Sequence, residues 1–199
     1  MSPTDAQLLD SQNALQSEAR AVMADLDLLA LLGRSGTPVH TGSSALGLMV
    51  RRDIDVTTTC PALDAAAVFD LGRPLAAHPR VRQLTFRNDT GHWRTEDEYP
   101  DGLYWLVEYV SEAGATWTLD LWFIAEGTTQ HDLEHMKTLP GRLDDETRAA
   151  ILRIKSAMHE RPEAERVSGY SVYEAVLDHG IRTPDEFLRY LETRTTAPG

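Results

Sequence analysis

The chain has 199 residues, 42% of them hydrophobic, with 19 basic against 31 acidic side chains and a formal net charge of −12. That length supports one good core, or one core with a small helical annex, and no apolar run reaches the ~18 residues of a membrane span. The charge argues against a nucleic-acid partner, because gripping a phosphate backbone takes clustered Lys and Arg, whereas an acidic surface favours solubility and attracts cations.

Met1-Ser2-Pro3-Thr4-Asp5 lacks the basic and apolar regions of a secretion signal, so the expected location is cytoplasmic. Residues 4–32 read as helix: Leu8, Leu9, Leu15, Val22, Met23, Leu26 and Leu29 recur at near-helical spacing, and Thr4 suits the cap. Residues 33–38 break it. Val39-His40-Thr41 then forms a short strand leading into Gly42-Ser43, residues 44–50 a turn or short helix, and residues 52–58 a second strand. Cys60 is alone, which excludes an internal disulfide and suits a reducing compartment. Residues 62–77 read as helix, 81–87 as strand and 88–102 as a polar loop. Residues 103–110 and 116–124 are β-rich runs around a hairpin signal at 111–115.

From about residue 128 the pattern is helical. Residues 143–160 are amphipathic with Asp144 as cap, and residues 171–179 form a helix that Gly180 stops. Thr183-Pro184-Asp185-Glu186 opens the last helix with a capping box, and residues 195–199 make a frayed tail. The order suits an α+β fold: a short mixed sheet with helices on one side in residues 1–127, then a helical C-terminal region in residues 128–199.

Asp53 and Asp55, at i and i+2 of a strand, point to one face. Carboxylates that close repel unless a cation lies between them, and oxygen-only ligands with room for water suit Mg²⁺ carrying a phosphate. Gly42-Ser43, just upstream, offers backbone N–H groups and a hydroxyl to phosphate. Asp120 interrupts the apolar run Thr116-Trp117-Thr118-Leu119-Asp120-Leu121-Trp122-Phe123-Ile124 as a third carboxylate.

Residues 39–57 and, more weakly, 116–124 resemble the signature of the polymerase-β-type nucleotidyltransferase superfamily: Gly-Ser, a gap, then carboxylate–hydrophobic–carboxylate–hydrophobic, with a third carboxylate on a later strand. Thr41 departs from the hydrophobic residue usual before the glycine. The resemblance implies a short mixed sheet with the carboxylates on neighbouring strands, and transfer of a nucleoside monophosphate with release of pyrophosphate. It also implies that Asp53 and Asp55 bind the Mg²⁺ that carries the triphosphate, that Gly42 and Ser43 contact terminal phosphates, and that Asp120 binds a second ion or acts as base.

Arg51 and Arg52 either reach the triphosphate or pair with neighbouring acids. Lys155, on the amphipathic helix, either aims its charge at phosphate or is solvated. Trp93, in the long loop, is an aromatic that either stacks on substrate or anchors packing, and Glu96-Asp97-Glu98 meets a cationic acceptor or solvent. The expected donor is ATP, and the expected acceptor a hydroxylated small molecule, cationic like an aminoglycoside, rather than nucleic acid. The alternatives are transfer to a protein or tRNA as a toxin-type enzyme, or a non-catalytic nucleotide-binding domain of the same fold. His131-Asp132-Leu133-Glu134-His135 also matches the H-x-x-E-H zinc-peptidase pattern, with Glu160, Glu163 or Glu174 as candidate third ligand. Residues 172–188 read as helix–turn–helix, taken as a helical annex rather than a DNA reader because Asp185 and Glu186 would face phosphate.

Overall fold

The computed structural model describes residues 3–94, 99–162 and 167–195. Helix α1, Asp5–Asp25, starts at a capping box of Thr4 and Gln7. The single helix expected over residues 4–32 is broken. Asp27 adopts a left-handed conformation at φ 44°, and a separate α2, Leu28–Leu32, follows. The reason is burial: Leu26, Leu28, Leu31 and Leu32 all enter the core, more leucines than one straight helical stripe accommodates, while Leu29 stays exposed. Aspartate is among the few residues that tolerate this backbone.

Strand β1, Thr37–Thr41, runs into a short helix α3, Gly42–Leu46, and then β2, Asp53–Cys60. Helix α4, Ala65–Ala77, leads to β3, Val81–Asp89, followed by β4, Gly102–Val110, and β5, Thr116–Ala125. The expected loop at 88–102 gives two residues to β3, because Asn88 and Asp89 pair with Leu103 and Gly102. Its tract Glu96-Asp97-Glu98 lies outside the described residues. The sheet order is β1-β2-β5-β4-β3, with β2 and β5 parallel and the other pairs antiparallel. Alternation then sorts the side chains. Ile54, Val56, Leu103, Trp105, Val107, Trp117, Leu119, Leu121 and Phe123 point to the core that α1, α2 and α4 cover. Asp53, Asp55, Tyr104, Asp120 and Trp122 point the other way.

The C-terminal part is α5, His131–Thr138, α6, Asp145–His159, α7, Gly169–His179, and α8, Pro184–Thr195. The local signals act as expected. Asp144 caps α6, Gly180 ends α7 at φ 67°, and Thr183 and Glu186 exchange capping hydrogen bonds. These helices form a second apolar cluster around Ile151, Ile154, Val172, Val176 and Phe187, which also takes in Leu46 and Leu48 from the turn after β1. Arg148 ties the two parts together by donating to the carbonyls of Leu46 and Gly47, at 2.6 and 2.8 Å. With Phe187 fully buried against α6 and α7, α8 is a packing element. Among the described residues no helix is long and apolar enough to cross a membrane.

Candidate active site

The uncovered sheet face is the floor of a cleft of about 1030 Å³, walled on one side by α5, α6 and α7. Sheet register sets its centre. Thr41 faces Asp55 across β1 and β2, and Asp55 faces Asp120 across β2 and β5. Asp53 sits one pleat repeat back along β2, on the same face.

Gly42 opens α3 directly beside these carboxylates. Its φ is 67°, and an added Cβ would collide with the Asp55 carboxylate, so the position requires glycine. Ser43 is buried at the cleft wall. Thr41 makes no side-chain capping bond to α3, so its first backbone N–H groups are not taken by a cap. From the opposite wall Lys155 reaches in. Its Nζ donates to the carbonyl of Leu48 at 2.7 Å and to the Tyr173 hydroxyl at 3.3 Å. Burial pushes this ammonium down to about 8, against the pull of Asp53 and Asp55.

Arg51 lines the cleft and pairs with Asp53, Nε to Oδ2 2.9 Å. Arg52 does not come to the site: its side chain turns to Glu18 on α1, at 3.0 Å. Trp93 is 60% exposed, its ring tilted against His92, and is not among the residues lining the cleft. Of the predicted set the structure thus brings together Gly42, Ser43, Arg51, Asp53, Asp55, Asp120 and Lys155.

Three features at this centre fit a divalent cation. Asp53 Oδ1 is buried with no hydrogen-bond partner. The Asp55 carboxyl is held well above the usual range, first by burial and then by the charges of Asp53, Asp120 and Asp132. Burial likewise raises Asp120, although Tyr104 donates a hydrogen bond to it. The donors are carboxylate oxygens, which suit Mg²⁺. Among the described residues no three His, Cys, Asp or Glu side chains already converge as a metal cluster; Asp53 is engaged by Arg51 and Asp120 by Tyr104. The zinc-peptidase pattern is not assembled either. His131 and His135 stack 6.4 Å apart, Glu134 bonds Lys137 at 2.7 Å and Glu174 bonds Arg194 at 2.6 Å. Candidate ligand Glu163 lies outside the described residues.

Sequence reasoning missed the aromatic lining. Tyr104 and Trp122 share the Asp120 face, and Tyr170, 49% exposed, stacks on His135 at 4.6 Å and 15°. Trp122 was available from alternation alone, two residues beyond Asp120.

No protein-family model matches the sequence, and no curated protein matches it. Solved structures do match in three dimensions. A point mutant of Cid1 poly(U) polymerase bound to MgATP aligns with a TM-score of 0.58 at 16% identity, over 87% of this chain and 54% of that one. Cid1 in complex with its short product ApU gives 0.57 at 16%, over 87% and 53%, and a cytoplasmic RNA terminal U-transferase gives 0.55 at 17%, over 87% and 50%. The chain therefore has the polymerase-β-type nucleotidyltransferase fold. It spans about half the length of the structures it matches.

Proposed function

We propose that the protein transfers a nucleoside monophosphate from a nucleoside triphosphate to a hydroxyl group and releases pyrophosphate. The observation that carries this reading is the placement of Asp53, Asp55 and Asp120 on one face of the neighbouring strands β2 and β5, beside the side-chain-free approach at Gly42. Asp53 and Asp55 would hold the Mg²⁺ that accompanies the triphosphate, and Asp120 a second ion or the proton of the attacking hydroxyl. Bound Mg²⁺ would supply neutralisation of the phosphate charge and of the attacking and leaving oxygens. Gly42, Ser43 and Lys155 grip the terminal phosphates, and Arg51 leaves Asp53 to join them. Tyr170, whose neighbour Gly169 sits against Lys155, offers a ring face to the nucleobase. The sheet with its three carboxylates forms the catalytic core, and α5, α6 and α7 wall the nucleotide end.

ATP remains the first donor to test, but the matched Cid1 structures hold MgATP, MgGTP and a UTP analogue alike, so the other NTPs stand beside it. An ATP donor and the lone thiol Cys60 both suit a cytoplasmic setting. The small cationic acceptor expected from net charge gains no support from the matched structures, one of which is a cytoplasmic RNA terminal U-transferase. Presence of all three carboxylates supports catalysis over nucleotide binding alone.

The test is pyrophosphate release with Mg²⁺ and each of the four NTPs, in wild type and Asp53→Ala. Release that falls at least ~100-fold in the variant, with the fold intact by circular dichroism, is expected. Release unchanged in Asp53→Ala overturns the reading.

A further inference from the structure

The donor chemistry leaves half of the cleft floor unused. Beyond Asp120 the same sheet face continues through Trp122 on β5, Tyr104 on β4 and Arg87 on β3, paired residue to residue by register. The Arg87 guanidinium lies 4.7 Å from the Tyr104 ring centre, 5.0 Å from Tyr99 and 5.6 Å from Trp122. Asp89 holds its Nε at 2.7 Å, which fixes the cation in place. Tyr99 stacks on Trp122 at 5.9 Å and 24°, yet stays 39% exposed. Arg94 lines the same end and donates to the Tyr99 carbonyl at 2.7 Å.

Packing alone does not require rings and arginines on the open face of a sheet. Flat aromatic and guanidinium surfaces are what nucleobases stack on, and guanidiniums beside them suit the adjoining phosphate. An aliphatic polyol, cationic or neutral, would leave the rings unused. The span also fits. Neighbouring strands lie ~4.8 Å apart, so β3 is roughly 10 Å from β5, about one nucleoside. Tyr104 bridges that interval, with its ring under Arg87 and its hydroxyl donating to Asp120. Strand order β1-β2-β5-β4-β3 then reads, from edge to edge, as phosphate grip, carboxylate centre and acceptor.

The geometry points to a nucleotide acceptor: a base stacks on Arg87 and Tyr99, and its ribose hydroxyl is presented at Asp120. The inference rests on the transfer reading above and names the acceptor class for that site. The hydroxyl passes its proton to the Asp120 carboxylate, its oxygen bonds to the α-phosphorus of the donor, and the bond from that phosphorus to the departing pyrophosphate breaks. The acceptor is either the end of a single-stranded oligonucleotide or a second free nucleotide.

The test reads binding directly. 2-Aminopurine, whose fluorescence falls on stacking, is placed at the 3′ end of a short single-stranded RNA and, separately, used as its ribonucleoside monophosphate. Each probe is titrated into the full chain with Mg²⁺ and a saturating non-hydrolysable ATP analogue at the donor end. Quenching is expected in wild type, retained in Tyr99→Phe, and shifted to ~10-fold or higher protein concentration in Tyr99→Ala and Arg87→Leu. A response to the RNA alone identifies a strand end, and to the mononucleotide alone a second nucleotide; either supports the subsite. No quenching by either probe, or quenching indifferent to Tyr99→Ala, overturns it. Pyrophosphate release judges the transfer reading separately. Tyr99-dependent quenching without NTP turnover keeps the platform and removes transfer. Asp53-dependent turnover on a polyol without stacking does the reverse.

Discussion

Lys155 is a buried ammonium facing two carboxylates, and its environment makes phosphate affinity depend on pH. Burial has lowered it to about 8, so it is charged below that value and neutral above it. A triphosphate at Gly42 and Ser43 favours the charged form. The affinity for a MgATP analogue should therefore fall as pH rises through about 8. Calorimetry between pH 7 and 9.5 checks this, with Lys155→Met weaker at pH 7 and flat across the range; a flat wild-type profile would remove Lys155 from the grip. Gly42→Ala combines left-handed backbone with collision against Asp55. It should cost roughly 1–2 kcal/mol of stability by denaturant titration and at least ~100-fold in turnover. The turn and the paired strand carboxylates were legible in the sequence because their spacing is local. Arg51 and Arg52 were not separable. One position apart on the approach to β2, they part according to tertiary partners: Asp53 in the cleft for one, Glu18 on α1 for the other. Arg87, Tyr104 and Trp122 meet only through the register of three strands, which no local spacing encodes.

Elements follow the same division between local and tertiary causes. Thr4, Asp144, Gly180 and Thr183 with Glu186 mark helix ends that the structure reproduces, since a cap is a contact within one turn. The break between α1 and α2 has no such marker: Asp27 is followed by leucines, and the core's demand for Leu28, Leu31 and Leu32 bends the chain there. The cost of left-handed aspartate gives a test. Asp27→Gly should hold or raise stability, whereas Asp27→Val should lower it by about 1–2 kcal/mol, both read from denaturant midpoints. If valine is tolerated without loss, the break is not set by that backbone conformation. Strand β3 makes the complementary point. Polar Asn88 and Asp89 read as loop, yet pairing with Leu103 and Gly102 draws them into the sheet and sets Asp89 beside Arg87.

For the whole molecule, the net charge of −12 includes a concentration of carboxylates where Asp53, Asp55, Asp120 and Asp132 line one cleft. The carboxylates link stability to pH and metal. Asp55 and Asp120 are held above the usual carboxyl range, chiefly by burial, so protonation favours the folded chain over the unfolded one. That stabilisation is complete below the ordinary carboxylate pKa of about 4 and is lost as pH rises through the raised folded-state values. Above those raised values the fold carries buried like charges that a cation bound only to the folded state would offset. Mg²⁺ at a hundred times its Kd would contribute about 2.7 kcal/mol, or roughly 5–10 °C in Tm for a chain of this size. Thermal unfolding should show a larger Mg²⁺ shift at pH 8 than at pH 5. Asp55→Asn should unfold at a higher temperature than wild type in chelator at pH 8 and gain nothing from Mg²⁺. A wild-type Tm indifferent to Mg²⁺ at both pH values would mean that these carboxylates are not a metal site, whatever else the cleft binds.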